Sequence, residues 1–219
     1  MRYHPAMGPR KLFIFTAIHA EAKAITRALR KRGINPTVEI RVIGIRAKHL
    51  PTDMTSSTTR GIIMAGFAGA LEASLRIGDV VVAGLPSHCV IDGGFREGLI
   101  HTSADMVATP AKKSELFAMT GALAVDMEGE RVRPFAESLG VPFLHVRAIS
   151  DIATDELDPA VLDFIDDVGR VRSFALAWGL VRRPGLIPKL ARLGMNARMA
   201  GKRLGGVVAK LVGSDLFGG

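Results

Sequence analysis

The segment from Ala124 to Asp151 constrains the fold most strongly, because two short apolar runs flank a helical pattern there. Between the runs, apolar residues recur at spacings of three and four, which predicts an amphipathic helix. These residues are Val132, Phe135, Ala136 and Leu139. Gly140 and Pro142 form a typical helix stop, and the run from Phe143 to Ile149 predicts a buried strand. The segment therefore predicts a strand–helix–strand unit and an α/β fold.

Two acidic residues stand where the strands of this unit end. Glu128 follows the first strand and Asp151 follows the second. Because ligands bind outside the carboxyl ends of strands in open α/β sheets, two acids on adjacent strands would face one pocket. Each acid taken alone has an equally good structural explanation. Glu128 would favour the first turn of a helix through the helix dipole, and Asp151 would be a helix N-cap.

The sequences VDMEGE at residues 125–130 and VRAISD at residues 146–151 resemble a known pair of signatures. They are similar to those of the nucleoside phosphorylase and nucleosidase superfamily, especially methylthioadenosine/S-adenosylhomocysteine nucleosidase. The resemblance implies a three-layer α/β fold, with a mixed central sheet flanked by helices. It also implies that Glu128 holds the ribose hydroxyls and that Met127 packs on the sugar. It further implies that Ser150 belongs to the substrate site and that Asp151 protonates the purine.

The N-terminal region predicts a buried strand from Lys11 to Ala17 and a helix from Ala20 to Arg32. By the resemblance, Glu21 matches the glutamate that positions and deprotonates the attacking water in nucleosidases. A carboxylate at the end of a strand is well placed to act as such a base. An ordinary acid in the first turn of a helix is an equally good interpretation of Glu21.

The segment from Gly61 to Leu71 resembles the strand and glycine-rich turn of the same family. The predicted turn, where backbone would approach the ligand closely, contains the substrate-site residues Gly66, Phe67, Ala68 and Gly69 and then Ala70. Phe67 replaces a hydroxyl residue of the family pattern, and Ala70 replaces a glycine. Further along, the resemblance implies that Met106 stacks on the base and that the Val107 backbone contacts the base edge. The alternative for Met106 is a plain core position.

Charge is concentrated near the C-terminus. Residues 170–210 contain ten Lys and Arg residues and no acid, whereas the other 19 basic residues face 21 acids. Basic and apolar residues alternate at helical spacing, which predicts an amphipathic helix at a membrane surface. A helix docked on the core and a partly disordered tail are the alternatives. The segment resembles the C-terminus of hopanoid-associated phosphorylases, and this resemblance implies a lipid-linked adenosine substrate. The segment from Leu85 to Gly98 is shorter than the matching stretch of nucleosidases, which closes the 5′ side of their site, and this fits a larger 5′ substituent.

Several other classes of protein are disfavoured. The single cysteine, Cys89, excludes an internal disulfide framework, and no run of 18 apolar residues predicts a transmembrane helix. The N-terminal residues show no signal-peptide pattern, so we expect a cytoplasmic protein that is peripheral on the inner membrane face if the tail binds lipid. The six histidines show no ligand spacing, so no metal is expected. No P-loop or dinucleotide fingerprint occurs, and no cofactor is expected beyond phosphate as a co-substrate.

These observations predict one nucleosidase-like α/β domain at residues 10–180 and a basic tail at residues 181–219. The predicted function is cleavage of the N-glycosidic bond of an adenosine-type nucleoside by a homodimer. Glu21 would repel phosphate and favours water, while Arg46, Arg60 and Arg147 are candidate phosphate ligands that the sequence does not place. The rivals are a soluble methylthioadenosine-type nucleosidase and a catalytically degenerate membrane-surface binding protein. Nucleic-acid binding is a weaker option, because the basic charge is confined to the tail.

Overall fold

The computed structural model describes residues 9–33, 37–87, 91, 94–158, 166, 168, 170 and 186–217. An apolar pattern at helical spacing around Trp178 predicts a closing helix of the domain, and Trp178 lies outside these residues. Cys89 and the predicted domain boundary after residue 180 also lie outside them. The described residues form one sheet with helices on both faces. The strands are β1 Lys11–Thr16, β2 Val38–Val42, β3 Thr59–Ala70, β4 Val80–Ala83, β5 Arg96–Glu97, β6 Ile100–Thr102, β7 Ala124–Asp126 and β8 Phe143–Asp151. The helices are α1 His19–Lys31, α2 Pro110–Thr120, α3 Gly129–Ser138 and α4 Leu186–Val212, with short 3₁₀ turns at Ile45–Ala47 and Asp215–Phe217.

The sheet is mixed, as predicted. Its strand order is β2-β1-β3-β8-β4-β5, and β7 pairs with both β3 and β6. The pairs of β1 with β2, of β1 with β3 and of β3 with β8 are parallel, while β4 runs antiparallel to β8. The central strands β1, β3 and β8 are buried along most of their length, and β1 and β3 are mainly apolar, which is typical of strands covered on both faces.

The glycine-rich turn predicted at residues 66–70 is wrong, because these residues form the second half of β3. Gly66 pairs with Arg147 of β8, and Gly69 pairs with Asp151 on one side and Val125 of β7 on the other. Neither glycine has a positive φ angle. β8 pairs with β3 from Gly66 to Gly69 and β7 joins the other edge at Gly69, so the chain stays extended where the local pattern alone predicts a turn.

The strands that flank α3 are not neighbours in the sheet. Both β7 and β8 pair with β3, and β7 runs antiparallel to it, so the predicted parallel unit of adjacent strands is wrong. The reason is the length of β3, which extends past the end of β1 and offers β7 a free edge. The two acids that follow these strands still come to the same end of β3.

Each face of the sheet carries its own apolar core. One core joins the sheet to α1 and α4, with Ile25 and Leu204 fully buried. The other joins the sheet to α3 through Val132 and Ala136. Burial of each large aliphatic side chain stabilises the fold by roughly 1.5–3 kcal/mol.

The basic C-terminal segment forms α4, whose second half packs on the domain. Leu204, Val207 and Val208 are buried in the core, so the apolar side of this half contacts protein. Two glycines allow the close approach to α1. A Cβ atom at Gly205 would lie 2.8 Å from the Ala24 carbonyl oxygen, and one at Gly201 would lie 3.2 Å from the Ala24 Cβ. Helix docking, one of the sequence alternatives, therefore describes this half of α4.

The first half of α4 has a different environment. Met195 and Met199 are 63% and 51% exposed, and Lys189, Arg192 and Arg198 are exposed beside them. No helix among the described residues is both long and apolar enough to cross a membrane.

Candidate active site

A cavity of about 230 Å³ lies where β1 ends beside β3. β1 pairs with β3 as far as Met64, and β7 takes the same edge of β3 only from Gly69 onward. The residues of β3 between these points therefore face a gap in the ladder, and α1 begins beside that gap. The lining residues are Ala17, Ile18, Glu21, Ile45, Phe67, Ala68, Gly69, Asp105, Met106, Val107, Val125, Asp126, Met127, Glu128, Ser150, Asp151 and Leu157.

Glu21 closes the gap in the ladder from the first turn of α1. Its Oε1 accepts a hydrogen bond from the Phe67 amide at 2.7 Å, and its Oε2 accepts from the amides of Ala17 and Ile18 at 2.9 and 3.0 Å. Burial raises the pKa of Glu21 to about 7, although nearby Arg147 and the Phe67 amide act in the opposite direction. A buried carboxyl group that titrates near neutral pH is a good candidate for a general base.

Arg147 lies fully buried behind the cavity wall and organises the surrounding acids. Its Nη2 donates to Asp126 and, at 3.1 Å, to Glu128 Oε2, while its Nε lies 3.0 Å from His145 Nε2. Among the described residues, Nη1 has no hydrogen-bond partner. Nη1 lies over Gly66, on the side of the guanidinium that faces Glu21.

Asp126 and His145 complete the polar network. His145 Nε2 lies 2.8 Å from Asp126 Oδ2, and Thr102 donates to Asp126 Oδ1 at 2.6 Å. The pKa of Asp126 is lowered, because the charge of Arg147 and the contact with His145 outweigh the opposing effect of burial. The pKa of His145 is also lowered, mainly by its own burial. Asp126 therefore stays ionised and holds Arg147 in place.

Glu128 lies at the start of α3 with both carboxylate oxygens directed into the site. Oε1 accepts from the Arg46 amide at 3.1 Å, and Oε2 accepts from Arg147. Burial raises the pKa of Glu128, against the lowering effect of Arg147. Arg46 itself has a positive φ of 59°, which places its amide over the carboxylate. Each oxygen retains a second lone pair for a ligand hydroxyl.

Asp151 ends β8 on the other side of the cavity and is paired with a buried lysine. Lys113 Nζ donates to Asp151 Oδ2 at 2.6 Å, and the Ser150 hydroxyl lies 3.1 Å from Oδ1. The residues after Asp151 that the structure describes form turns, so the alternative of a helix N-cap does not apply to this carboxylate.

The structure brings almost all of the predicted site residues together. The same cavity is lined by Glu21, Glu128 and Asp151 and by the residues predicted to contact the sugar and the base. These contacts are Met127, Phe67, Ala68, Gly69, Met106, Val107 and Ser150. Gly66 does not line the cavity and lies behind its wall.

Sequence reasoning missed Asp126, His145 and Lys113 and left Arg147 without a position. One usable signal was the alternation of β8, because His145 and Arg147 occupy every second position of an otherwise apolar strand. Such residues lie on one face and must share polar partners when buried. Lys113 had no signal of this kind, since it is adjacent to an equally polar Lys112.

Gly66 keeps the space that the buried charges occupy. A Cβ atom there would collide with Arg147 Nη1 and lie 2.8 Å from Glu21 Oε1. Both atoms therefore pass over the same point of β3. The charged groups cannot move aside easily, because Arg147 and Glu21 are each held by several hydrogen bonds.

We predict that Gly66→Ala lowers the free energy of unfolding by about 1–3 kcal/mol through this overpacking. The measurement is urea denaturation at neutral pH. Gly206→Ala is the matched control, because no atom lies within 4 Å of its added Cβ and it lies inside α4. That control should be neutral or stabilise the protein by up to about 1 kcal/mol. Equal unfolding midpoints for wild type and Gly66→Ala would contradict the proposed crowding.

Comparisons with known proteins bear on the sequence family and the fold. The Phosphorylase superfamily model matches residues 92–182, whereas no curated protein sequence gives a significant match. The 5′-methylthioadenosine/S-adenosylhomocysteine nucleosidase of Campylobacter jejuni is similar in structure with a TM-score of 0.58 and 17% identity, covering 93% of this chain and 98% of that chain.

Two further structures have the same fold. The S-adenosylhomocysteine nucleosidase of Streptococcus pyogenes, solved with 5-methylthiotubericidin, has a TM-score of 0.57 at 20% identity, covering 94% of this chain and 97% of that chain. The futalosine hydrolase of Helicobacter pylori has a TM-score of 0.55 at 21% identity, covering 91% and 97%. The Phosphorylase superfamily match thus covers residues 92–182, and the likeness to these nucleosidase and hydrolase structures shows a shared fold.

Proposed function

We propose that the protein hydrolyses the N-glycosidic bond of an adenosine-type nucleoside and releases adenine. The observation that carries the proposal is the convergence of Glu21, Glu128 and Asp151 on one cavity, with a buried arginine behind it. The cavity thus offers a base, an acceptor for sugar hydroxyls and a proton donor. The solved structures described above are of enzymes whose names record cleavage of nucleosides, which supports the same reaction class.

Water fits the cavity better than phosphate as the nucleophile. The lining contains five acidic residues, which are Glu21, Asp105, Asp126, Glu128 and Asp151. Among the lining residues that the structure describes there is no Lys, Arg or His. The cations around the cavity already serve these acids, since Arg147 pairs with Asp126 and Glu128, Lys113 with Asp151, and Arg46 with Asp105. A phosphate anion would meet repulsion without a compensating cation, whereas a neutral water molecule would not.

In the proposed reaction, water lies in the cavity beside the Glu21 carboxylate. Glu21 removes a proton from the water while the water oxygen bonds to the anomeric carbon of the ribose. The bond from that carbon to the base breaks, its electron pair moves to the purine, and Asp151 supplies the proton that neutralises the leaving purine. Glu128 and Met127 hold the ribose so that little orientation is lost in reaching the transition state.

The direct test is adenine release from a panel of adenosine nucleosides with different 5′ substituents, with and without phosphate. We expect release without phosphate and incorporation of oxygen from labelled water into ribose. Release that requires phosphate would replace hydrolysis by phosphorolysis. No release from any substrate would favour the alternative of a catalytically degenerate binding protein. Asp126→Asn is a useful control, because it removes the carboxylate that pairs with Arg147 and leaves Glu21 and Asp151, the assigned base and acid, in place.

The elevated pKa of Glu21 predicts the pH dependence of the reaction. The carboxylate is the active form of the base, so kcat/KM should rise with pH, approach its limit above a pH of about 7, and fall below it. Glu21→Gln should reduce the rate by about 100-fold or more at every pH and abolish this dependence. A rate of the glutamine variant that stays within threefold of wild type would remove Glu21 from the mechanism.

The same pKa shift predicts an effect on stability that needs no substrate. Because the folded protein holds this proton more tightly than the unfolded chain, the stabilising contribution is complete below the ordinary pKa of 4.5 and is lost as the pH rises through about 7. Glu21→Gln should remove this part of the pH dependence of unfolding.

A lipid-linked nucleoside resembling adenosylhopane is the second candidate substrate, and the first half of α4 supports it. This half presents exposed Met195 and Met199 beside basic residues, a combination suited to an anionic membrane surface. Arg192 of α4 forms an ion pair with Asp155. Asp155 belongs to the loop that ends at Leu157 on the cavity wall. A lipid surface bound by α4 would therefore lie close to the cavity.

We predict that the protein co-sediments with vesicles that contain anionic lipid and less with neutral vesicles. Replacement of Met195 and Met199 by Ser should weaken this binding severalfold and leave cleavage of a water-soluble nucleoside unchanged. Replacement of the exposed Met119, which lies on α2, by Ser is the matched control. Equal sedimentation of all variants would exclude α4 as the contact, and the protein would then be a soluble nucleosidase.

A homodimer also stays a prediction drawn from the resemblance. In the part of the chain that the structure describes, three large hydrophobic side chains outside α4 are exposed, namely Leu99, Phe117 and Met119. A subunit interface would bury side chains of this kind, and they support the search for a dimer in solution.

A further inference from the structure

Lys113 is the one buried residue of α2 and is fully inaccessible to solvent. Its Nζ donates to Asp151 Oδ2 at 2.6 Å, to the Ile152 carbonyl at 2.8 Å and to the Asp155 carbonyl at 3.2 Å. These contacts use all three protons of the ammonium group. The side chain crosses from α2 to the end of β8 and reaches the cavity wall from behind.

Burial of this charge has a cost that a purely structural residue would avoid. Removing an ammonium group from water costs several kcal/mol, and only a paired, fully bonded geometry offsets that cost. An apolar residue would fill the same place against the core more cheaply. The charge is placed where it meets the carboxylate that the proposed reaction uses as its acid.

We propose that Lys113 is a positioning residue that makes Asp151 an effective proton donor to the leaving base. This inference rests on the proposed function. Asp151 enters the reaction protonated on Oδ1, with a proton taken from solvent before the substrate binds. As the bond between the anomeric carbon and the base breaks, its electron pair moves to the base and this proton follows to a ring nitrogen. Asp151 becomes a carboxylate, and Lys113 keeps all its protons throughout.

The ammonium group stabilises that carboxylate at the moment it forms. An aligned charge in a water-poor site is worth more than one in solvent and needs no rearrangement during the reaction. Lys113 contacts Oδ2 only, so Oδ1 remains the oxygen for proton donation, beside the Ser150 hydroxyl. The two carbonyl contacts fix the lysine, so that its charge cannot turn toward solvent.

The test compares Lys113→Met with wild type in adenine release. We expect kcat to fall about 10- to 100-fold while KM changes less than threefold, because the effect concerns proton donation and not binding. Lys113→Arg keeps the charge and should recover a measurable part of the lost rate. Lys112→Met is the matched control, since Lys112 is the exposed neighbour on the same helix, and its kinetics should equal those of wild type.

A double-mutant cycle separates this role from support of the loop at Ile152 and Asp155. If Lys113 acts through Asp151, the double variant Lys113→Met, Asp151→Asn should be no slower than Asp151→Asn alone in single-turnover experiments with excess enzyme. A further loss in the double variant that equals the loss in the single variant would assign Lys113 to structure and overturn the inference. Thermal unfolding of each variant verifies that folded proteins are compared.

The outcomes separate this inference from the proposed function. A wild-type protein that releases no base overturns both. An active wild type with a Lys113→Met variant inside a twofold range of its kcat overturns the role of Lys113 alone. A loss confined to KM would do the same, because it would place the lysine in substrate binding.

Discussion

The interaction on which the site depends is the burial of Arg147. A guanidinium group stays protonated in proteins, so a fully buried one must be surrounded by acids and acceptors. Asp126 takes the largest share of the charge, and its lowered pKa reflects this. Glu128 and Glu21 receive less compensation, and burial raises the pKa of each. The charge of Arg147 therefore stabilises the three carboxylates unequally. Glu21 is stabilised too little to offset its burial, so it can exchange a proton near neutral pH.

The sheet provides the room for this arrangement. Because β1 and β7 share one edge of β3 without meeting, the amide of Phe67 is left for Glu21. The carboxylate of Glu21 therefore accepts the hydrogen bond that a neighbouring strand would otherwise accept at this gap. Gly66 lies directly opposite Arg147 in the register and leaves space for both charged groups. The break in the sheet and the chemistry of the cavity are consequences of the same strand pairing.

The sequence was sufficient for features that depend on local pattern. Apolar periodicity located α1, α3, β1 and β8, and the acids were found from their place at predicted strand ends together with the resemblance of the segments around them. Features that depend on distant partners could not be read in this way. The extended conformation at Gly66 and Gly69 depends on pairing with β8 and, at Gly69, with β7. Lys112 and Lys113 are indistinguishable by type, yet one is exposed and the other meets Asp151 38 residues away.

The two ends of the cavity differ in how their charges are balanced. At the end with Glu21, burial disfavours the charged carboxylate, so protonation of Glu21 removes that cost. At the end with Asp151, the Lys113 ammonium lies 2.6 Å from Oδ2, so the carboxylate left by proton donation is paired as it forms. The proposed hydrolysis adds a proton at the first end and removes one at the second. Each half of the reaction therefore moves charge in the direction that its own end already favours, and no external cation is needed to balance the transfer.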